Sequence, residues 1–351
     1  MPAPWSDRPL ADAIDRRACR ALIRSGSKTF AAAGLLLPAA LREAAYALYG
    51  FCRLSDDLVD VEGGALDAIA RLRDRLSQAY DGRPADGPVD RAFADVVAAH
   101  DMPRALPEAL IDGLEWDVTG VACETLGDLY AYAARVAGSV GAMMSVLMGV
   151  RDPRIVARAC DLGVAMQLTN IARDVGEDAR AGRLYLPRSW LRAEGVDPDA
   201  WLARPAFGPA IGATVERLLQ AADALYVRAD SGIAQLPASC RPGIFAARHL
   251  YREIGVEVRR RGFDSISGRA RVPAARKLRL TGQALVDAAW IRSNPSAEPA
   301  LSETAYLVDA VAAGFARTAE RPLGVVSERV VWVARLFASL EARARIPGER
   351  A

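Results

Sequence analysis

Apolar residues return at every third or fourth position along most of this chain. No segment alternates apolar and polar residues with the period of two that a half-buried strand requires. Leu66, Ile69, Leu72, Leu76 and Tyr80 make one such face, which stops at the turn cluster Asp81-Gly82-Arg83-Pro84. Equivalent patterns run over 11–25, 39–61, 106–116, 126–147, 155–175, 211–235 and 244–261, with prolines mostly between them. Stripes of this period are satisfied by helices burying their apolar faces against one another. The predicted fold is therefore all-α, a single large helical bundle. Residues 183–209, with Pro187, Pro198, Pro205 and Pro209, read as an ordered loop or broken helix. The stretch Ser293-Asn294-Pro295-Ser296-Ala297-Glu298-Pro299 reads as a linker, which gives a helical body over 1–290, a linker over 291–300 and a helical extension over 301–351. That extension carries two helical stretches, 304–317 and 327–344.

Charge and composition remove several function classes. Forty-five basic and 43 acidic residues leave a formal +2, so a strongly basic nucleic-acid binder is excluded. Five scattered cysteines with no C-x-x-C pair suggest neither a disulfide framework nor a zinc site, and a reducing cytosol fits. Two distant histidines, His100 and His249, leave little for His-rich metal sites or Ser-His hydrolysis. No G-x-G-x-x-G or P-loop is present. The charged N-terminus over 1–17 is not a signal peptide. The longest uncharged run, 136–150, would span about 22 Å as a helix, short of the ~30 Å hydrocarbon core, and is expected to be a buried core helix.

Two segments carry chemistry. In Tyr49-Gly50-Phe51-Cys52-Arg53-Leu54-Ser55-Asp56-Asp57-Leu58-Val59-Asp60, the carboxylates of Asp56 and Asp60 lie one helical turn apart. Tyr49 and Arg53 continue that face toward the N-terminus. Carboxylates stacked in this way repel unless a cation sits between them. A solvated acidic helix end is the alternative, against which the apolar run 39–51 argues for burial. In Met166-Gln167-Leu168-Thr169-Asn170-Ile171-Ala172-Arg173-Asp174-Val175-Gly176-Glu177-Asp178, the side chains of Gln167, Asn170, Asp174 and Asp178 share one helical face. Hard oxygen donors of this kind suit Mg²⁺ or Mn²⁺ rather than zinc. An EF-hand loop starting at Asp174 fails, because its twelfth residue is Tyr185 instead of Glu. Arg173, beside the stripe, points to an anion at the same place. Mg²⁺ is usually shared with substrate phosphates, so the two segments read as a clamp for one or more diphosphates. With no nucleophile–base pair, the diphosphate reads as a leaving group. The carbocation left behind needs a dry apolar cavity, which 136–150 is placed to line.

These motifs, in their order, resemble the squalene/phytoene synthase family of head-to-head prenyl-joining enzymes, and within it the bacterial phytoene synthases. The matching stretches are Ser27-Lys28-Thr29-Phe30, residues 49–60, Y-A-A-R-V-A-G-S-V-G over 132–141, and residues 167–178. Arg183-Leu184-Tyr185-Leu186-Pro187, Tyr251-Arg252-Glu253-Ile254 and Arg269-Ala270-Arg271-Val272 complete them. The resemblance implies an isoprenoid-synthase bundle with a central apolar cavity. It implies that Asp56 and Asp60 hold Mg²⁺ on one diphosphate, while Asn170, Asp174 and Asp178 hold the remaining metal. Ser27, Lys28, Tyr49, Arg53, Gln167, Arg173, Tyr251 and Arg269 would contact the diphosphates. Tyr132 and Tyr185 would line the reaction chamber, and with Tyr49, Arg53, Asp56, Asp60, Asp174 and Asp178 would make the catalytic set. The implied reaction joins two geranylgeranyl diphosphates through cyclopropyl prephytoene diphosphate to phytoene, with Mg²⁺ or Mn²⁺ and without NADPH.

Two other functions are weighed. One is a farnesyl-diphosphate-using squalene, dehydrosqualene or hydroxysqualene synthase. The other is a non-catalytic scaffold that keeps the fold, against which the complete acidic set argues. Met143, Met144 and Met148 read as core or tunnel wall, His249 as a packed histidine, and Glu177 as either a salt-bridge partner or a metal ligand. Val258-Arg259-Arg260-Arg261 reads as a solvated helix end that could also attract anionic headgroups. Expected partners are prenyl diphosphates and a downstream phytoene desaturase, with no nucleic acid. The expected location is the cytoplasm, peripheral to the inner membrane, without an inserted segment.

Overall fold

Short capping signals set where the helices begin. Asp12 accepts from the N–H groups of Ile14 and Asp15 while the Asp15 side chain reaches back to the Asp12 N–H, a capping box that opens α1 (Ala13–Gly26). Ser27 ends that helix and caps the next, α2 (Lys28–Gly34), by accepting from the Phe30 N–H. Asp152 caps a helix with proline at its first position, α9 (Pro153–Arg180). The computed structural model describes residues 9–61, 66–291 and 298–319; the side chains of Asp60, Val61 and residues 315–319 lie outside that description.

The remaining elements are α3 (Ala39–Val61), α4 (Leu66–Tyr80), α5 (Pro88–His100), α6 (Ala105–Thr119), α7 (Leu126–Ala133), α8 (Ser139–Leu147), α10 (Arg188–Ala193) and α11 (Pro198–Ala203). They continue with α12 (Pro209–Ile233), α13 (Arg241–Arg260), α14 (Ala274–Trp290) and α15 (Ala305–Ala319). Among the described residues there is no strand. The proline-rich stretch 183–209, expected as an ordered loop or broken helix, holds two six-residue helices, α10 and α11. The helix expected over 126–147 is divided: one π-helical turn, Ala134–Gly138, separates α7 from α8. Helices α2, α5 and α14 were not read from the sequence. The stretch 327–344 and most of the linker expected over 291–300 lie outside the described residues. The chain divides into two units, Met1–Ala312 and Ala313–Ala351. Of the second, the described part is the end of α15.

The long helix α9 is the axis of the first unit and packs on α12, α8, the π-helical turn and α13. Two glycines let it approach α8 backbone to backbone. A Cβ on Gly163 would lie 2.2 Å from the Ala137 carbonyl oxygen, and one on Gly141 would lie 2.2 Å from that of Ala159. Phe51 of α3 stacks on Phe93 of α5 at 4.0 Å and closes the other side of the core. Near the N-terminal end of α9, Arg158 and Arg228 flank the fully buried Asp161 carboxylate at 2.9 and 3.0 Å. Both arginines also donate to backbone carbonyls at the C-terminal end of the expected linker, Arg158 to Glu298 and Pro299 and Arg228 to Pro299. Leu307 and Val311 of α15 are buried in the same core.

The crossing at Gly163 makes a direct prediction. Gly163→Ala should lower stability by about 1–3 kcal/mol through overpacking against main chain that cannot move aside. Gly282→Ala, on the exposed face of α14 with open space around it, should gain about 0.5–1 kcal/mol. Thermal melts followed by circular dichroism check both, and an unchanged melt for Gly163→Ala would refute the close crossing.

Candidate active site

An apolar cavity of about 320 Å³ runs through the bundle between α2, α3, α8, α9, α12 and α13. Its wall on α9 extends from Ile155 to Asn170, about 22 Å of helix. The uncharged stretch 136–150 divides by face as a helix must. Val136, Ala137, Val140, Gly141, Met144 and Met148 line the cavity, whereas Ala142, Met143 and Val146 are buried in the core behind it. Small residues at Ala33, Gly34, Ala159, Gly232 and Gly243 keep the bore open.

Polar groups gather at the end of α9 where the acidic stripe begins. Tyr49 and Cys52 of α3, Gln167 and Asn170 of α9 and Tyr251 of α13 all line this one cavity. Phe30 of α2 packs its ring 5.0 Å from Tyr251 and 6.2 Å from Tyr49, tying α2, α3 and α13 together around the same point. Burial pushes the Tyr251 phenol up to about 12, against the pull of Arg173, so it stays protonated and can donate. The Cys52 thiol, likewise pushed up to about 12 by burial, is inert wall. Asp56 lies one helical turn past Cys52, and Asp174 one turn past Asn170. The two acidic faces therefore continue outward from two walls of one chamber.

Guanidinium groups meet the carboxylates at this end. Asp174 receives Arg173 Nε at 2.7 Å and Arg269 Nε at 2.9 Å, and Arg269 also pairs with Glu177 at 3.3 Å. Arg53 of α3 pairs with Asp56 at 3.5 Å and with Asp57. Further along α9, the Tyr132 and Tyr185 hydroxyls both donate to Asp117 of α6, at 2.9 and 2.7 Å, with their rings stacked at 5.0 Å. Burial and the Asp117 charge raise both phenols well above their ordinary value, so each is a hydrogen-bond donor and not a base. Asp178 feels Asp117, Asp174 and Glu177. Burial first, then these charges, push its carboxyl up to about 7 against the pull of Arg183.

This donor set fits a hard divalent cation. The Asn170 side-chain oxygen is shielded from water and has no hydrogen-bond partner among the described residues, while Asn170 hydrogen-bonds the Tyr251 hydroxyl. A buried acceptor left open costs about 1–3 kcal/mol, and Asp178 is a desolvated carboxylate among like charges. A cation bound by Asn170, Asp174 and Asp178 would relieve both. Among the described residues no three Asp, Glu, His or Cys side chains form a preformed cage, as expected where a ligand phosphate completes the shell.

The structure thus brings Tyr49, Gln167, Asn170 and Tyr251 to one cavity mouth, and Arg173, Asp174 and Arg269 into one ion-pair cluster. Tyr132, Tyr185 and Asp178 gather around Asp117. The two tyrosines are not among the residues lining the main cavity. The Ser27 hydroxyl oxygen accepts in the α2 cap, which leaves its O–H to donate, and Lys28 beside it is exposed. The Asp60 side chain lies outside the described residues. His249 is packed as expected, 2.7 Å from Asp287. The arginines of 258–261 turn to local partners: Arg259 to Asp223, Arg260 to Glu257 and Arg261 to the Gly268 carbonyl. Two features escaped sequence reasoning. Asp117 stands alone in Glu115-Trp116-Asp117, without a second acid at helical spacing to mark it. The loop 264–269 signals itself only by composition, as Asp-Ser-Ile-Ser-Gly-Arg.

A model of the squalene/phytoene synthase family matches residues 23–276. The phytoene synthase of Cereibacter sphaeroides is 48% identical over 348 residues, covering 94% of this chain and 95% of its own. That of Rhodobacter capsulatus is 52% identical over 308 residues, covering 85% and 90%. Among solved structures, a dehydrosqualene synthase in complex with ligand is similar with a TM-score of 0.71 at 32% identity, over 77% of this chain and 95% of its own. A squalene synthase from Alicyclobacillus acidocaldarius gives 0.64 at 26% identity, over 71% and 94%.

The raised Asp178 carboxyl has a stability consequence. Its folded value lies above its unfolded value, so the native state holds the extra proton between about pH 4 and 7 and stability falls as pH rises through that window. Metal-free Asp178→Asn should therefore melt higher than the parent protein at pH 8, by at most about 4 kcal/mol. At pH 5 the gap should shrink to less than half, and it should close only below about pH 4. A variant less stable than the parent at both pH values would contradict this environment for Asp178.

Proposed function

This chain belongs to the squalene/phytoene synthase family, and from that premise we infer that it condenses two geranylgeranyl diphosphates head to head, through prephytoene diphosphate, to phytoene. The observation that carries the reading is the shared chamber: Tyr49 and Cys52 from one motif and Gln167 and Asn170 from the other line the same apolar cavity. The 48% and 52% identities to phytoene synthases, against 32% to the dehydrosqualene synthase, favour phytoene over a farnesyl-derived product.

In this reading Asp56 and Asp60 hold one diphosphate through Mg²⁺ or Mn²⁺, and Asn170, Asp174 and Asp178 hold the remaining metal. The bound metal neutralises charge developing on the departing diphosphate. Arg53, Arg173 and Arg269, now paired with carboxylates, are positioned to exchange onto phosphate oxygens, and Ser27 and Lys28 at the start of α2 add donors. Tyr49, Gln167 and Tyr251 orient the headgroup at the cavity mouth. The prenyl tails lie along the wall of Val136, Val140, Met144 and Met148, which excludes water from the cation. Tyr132 and Tyr185, held protonated on Asp117, are positioned to exchange those hydrogen bonds onto departing pyrophosphate. The last cation is quenched by proton loss, so no reductant enters. Among the described residues no helix is long and apolar enough to cross a membrane. The exposed Leu278, Leu285, Val286 and Trp290 of α14 support contact with a membrane face, where a desaturase would receive the hydrocarbon.

The test is incubation of the purified protein with geranylgeranyl or farnesyl diphosphate and mass spectrometry of the hydrocarbon. Phytoene is expected from the first, with the product unchanged by NADPH; a farnesyl-derived product alone would overturn the substrate assignment. Asp174→Asn should lower turnover by at least about a hundredfold with its helical circular dichroism intact. EDTA should abolish activity and Mg²⁺ restore it. Full turnover in EDTA would remove the metal from the account.

A further inference from the structure

The acidic end of α9 is gripped by a loop that no motif marks. Ser265, only 4% exposed, donates its hydroxyl to the Ala172 carbonyl at 2.6 Å, and its own carbonyl accepts from the Gly176 N–H at 3.1 Å. Ala172 and Gly176 are the acceptor and donor positions of one helical rung, so a single residue engages both. The loop backbone lies directly on the helix. A Cβ on Gly176 would stand 2.7 Å from the Ser265 carbonyl oxygen and 2.8 Å from Ile266 Cα. The loop holds its own shape, since Asp264 Oδ1 accepts from the N–H groups of Ile266 and Ser267, each at 2.9 Å. Arg180 donates to the Ile266 carbonyl at 2.6 Å, and Arg269 reaches round the helix to Asp174 and Glu177. Between Ala172 and Arg180, then, α9 is held on the face opposite Asp174 by main chain and on the Asp174 face by Arg269.

A hydroxyl donated into a mid-helix carbonyl sets the local bend of that helix. Asp174 lies within the Ala172–Gly176 rung that Ser265 engages and Asp178 two residues beyond it, so their mutual pose follows from it. We propose that Ser265 is a positioning residue for the diphosphate chemistry, and that its two bonds to the Ala172–Gly176 rung fix the arrangement in which Asp174 and Asp178 take up a divalent cation. The proposal rests on the reading of Asn170, Asp174 and Asp178 as metal ligands. A loop that merely anchored the fold would change the melting temperature and leave metal dependence alone.

The experiment uses the full chain, titrating Mg²⁺ well below the melting temperature of each variant against turnover of geranylgeranyl diphosphate and, by calorimetry, against binding of inorganic pyrophosphate, where the same shifts are expected. Ser265→Ala should raise the Mg²⁺ concentration for half-maximal turnover about tenfold, while the KM for the prenyl diphosphate at saturating Mg²⁺ stays within twofold. Arg180→Gln, at an exposed position that touches the same loop, should shift half-saturation about threefold in the same direction, and decides the matter should Ser265→Ala fail to fold. Wild-type Mg²⁺ half-saturation in whichever of these variants folds overturns the proposal, whatever its melting temperature. Asp174→Asn runs beside them. If it keeps normal Mg²⁺ dependence, the metal reading itself fails; if it is inactive while Ser265→Ala follows the parent, the positioning role alone fails.

Discussion

Carboxylates at the rim of an apolar cavity lose hydration and repel one another, and how that cost is met organises the rest of the molecule. Asp174 is held by two guanidinium groups, from Arg173 and Arg269. Asp117 is held by two phenols, from Tyr132 and Tyr185. Asp178 is buried beside Asp174, Asp117 and Glu177, and despite the pull of Arg183 its carboxyl is pushed up to about 7. A site arranged in this way is poised for added positive charge, because each unit by which a carboxyl's pKa is raised corresponds to about 1.4 kcal/mol against ionisation. A divalent ion would supply that charge, and a diphosphate would in turn draw the arginines away from the acids.

The second requirement is dryness, and glycine at the α8–α9 crossing supplies it. Where Gly141 and Gly163 meet opposing carbonyls, the helices close on each other without a gap. The side chains of Val140, Met144 and Met148 then become a continuous wall beside α9. The same approach explains why the chain departs from α-helical geometry at Ala134–Gly138. A π-helical turn is a common device near functional sites, and here it carries Ala137 against Gly163. Charge at one end and a sealed apolar bore behind it are what ionisation followed by carbocation capture needs.

Much of this was legible in the sequence. The apolar period gave the helical class, and the offsets among Gln167, Asn170, Asp174 and Asp178 put them on one face before any coordinates. What the sequence hid were the contacts that cross between elements. Asp117 carries no periodic partner, so nothing local distinguishes it from a surface acid. Ser265 acts through a hydroxyl and a carbonyl on a helix some ninety positions earlier, a link no spacing rule describes. Helix α2 was missed because its seven residues are too short for a period to register, and α14 because Leu278, Leu285 and Trp290 face outward, which blurs the apolar stripe. The division of 126–147 was invisible for a different reason: a π-helical turn changes hydrogen bonding without changing composition.

Inorganic pyrophosphate isolates the claim on which all of this depends, because it has the headgroup and no tail. Titrated calorimetrically into the protein, it should bind only when Mg²⁺ or Mn²⁺ is present, and binding should disappear when the cation is chelated. Equal affinity with and without a divalent ion would mean that arginine and lysine alone grip the phosphates, and the oxygen-lined faces of α3 and α9 would lose the role given to them.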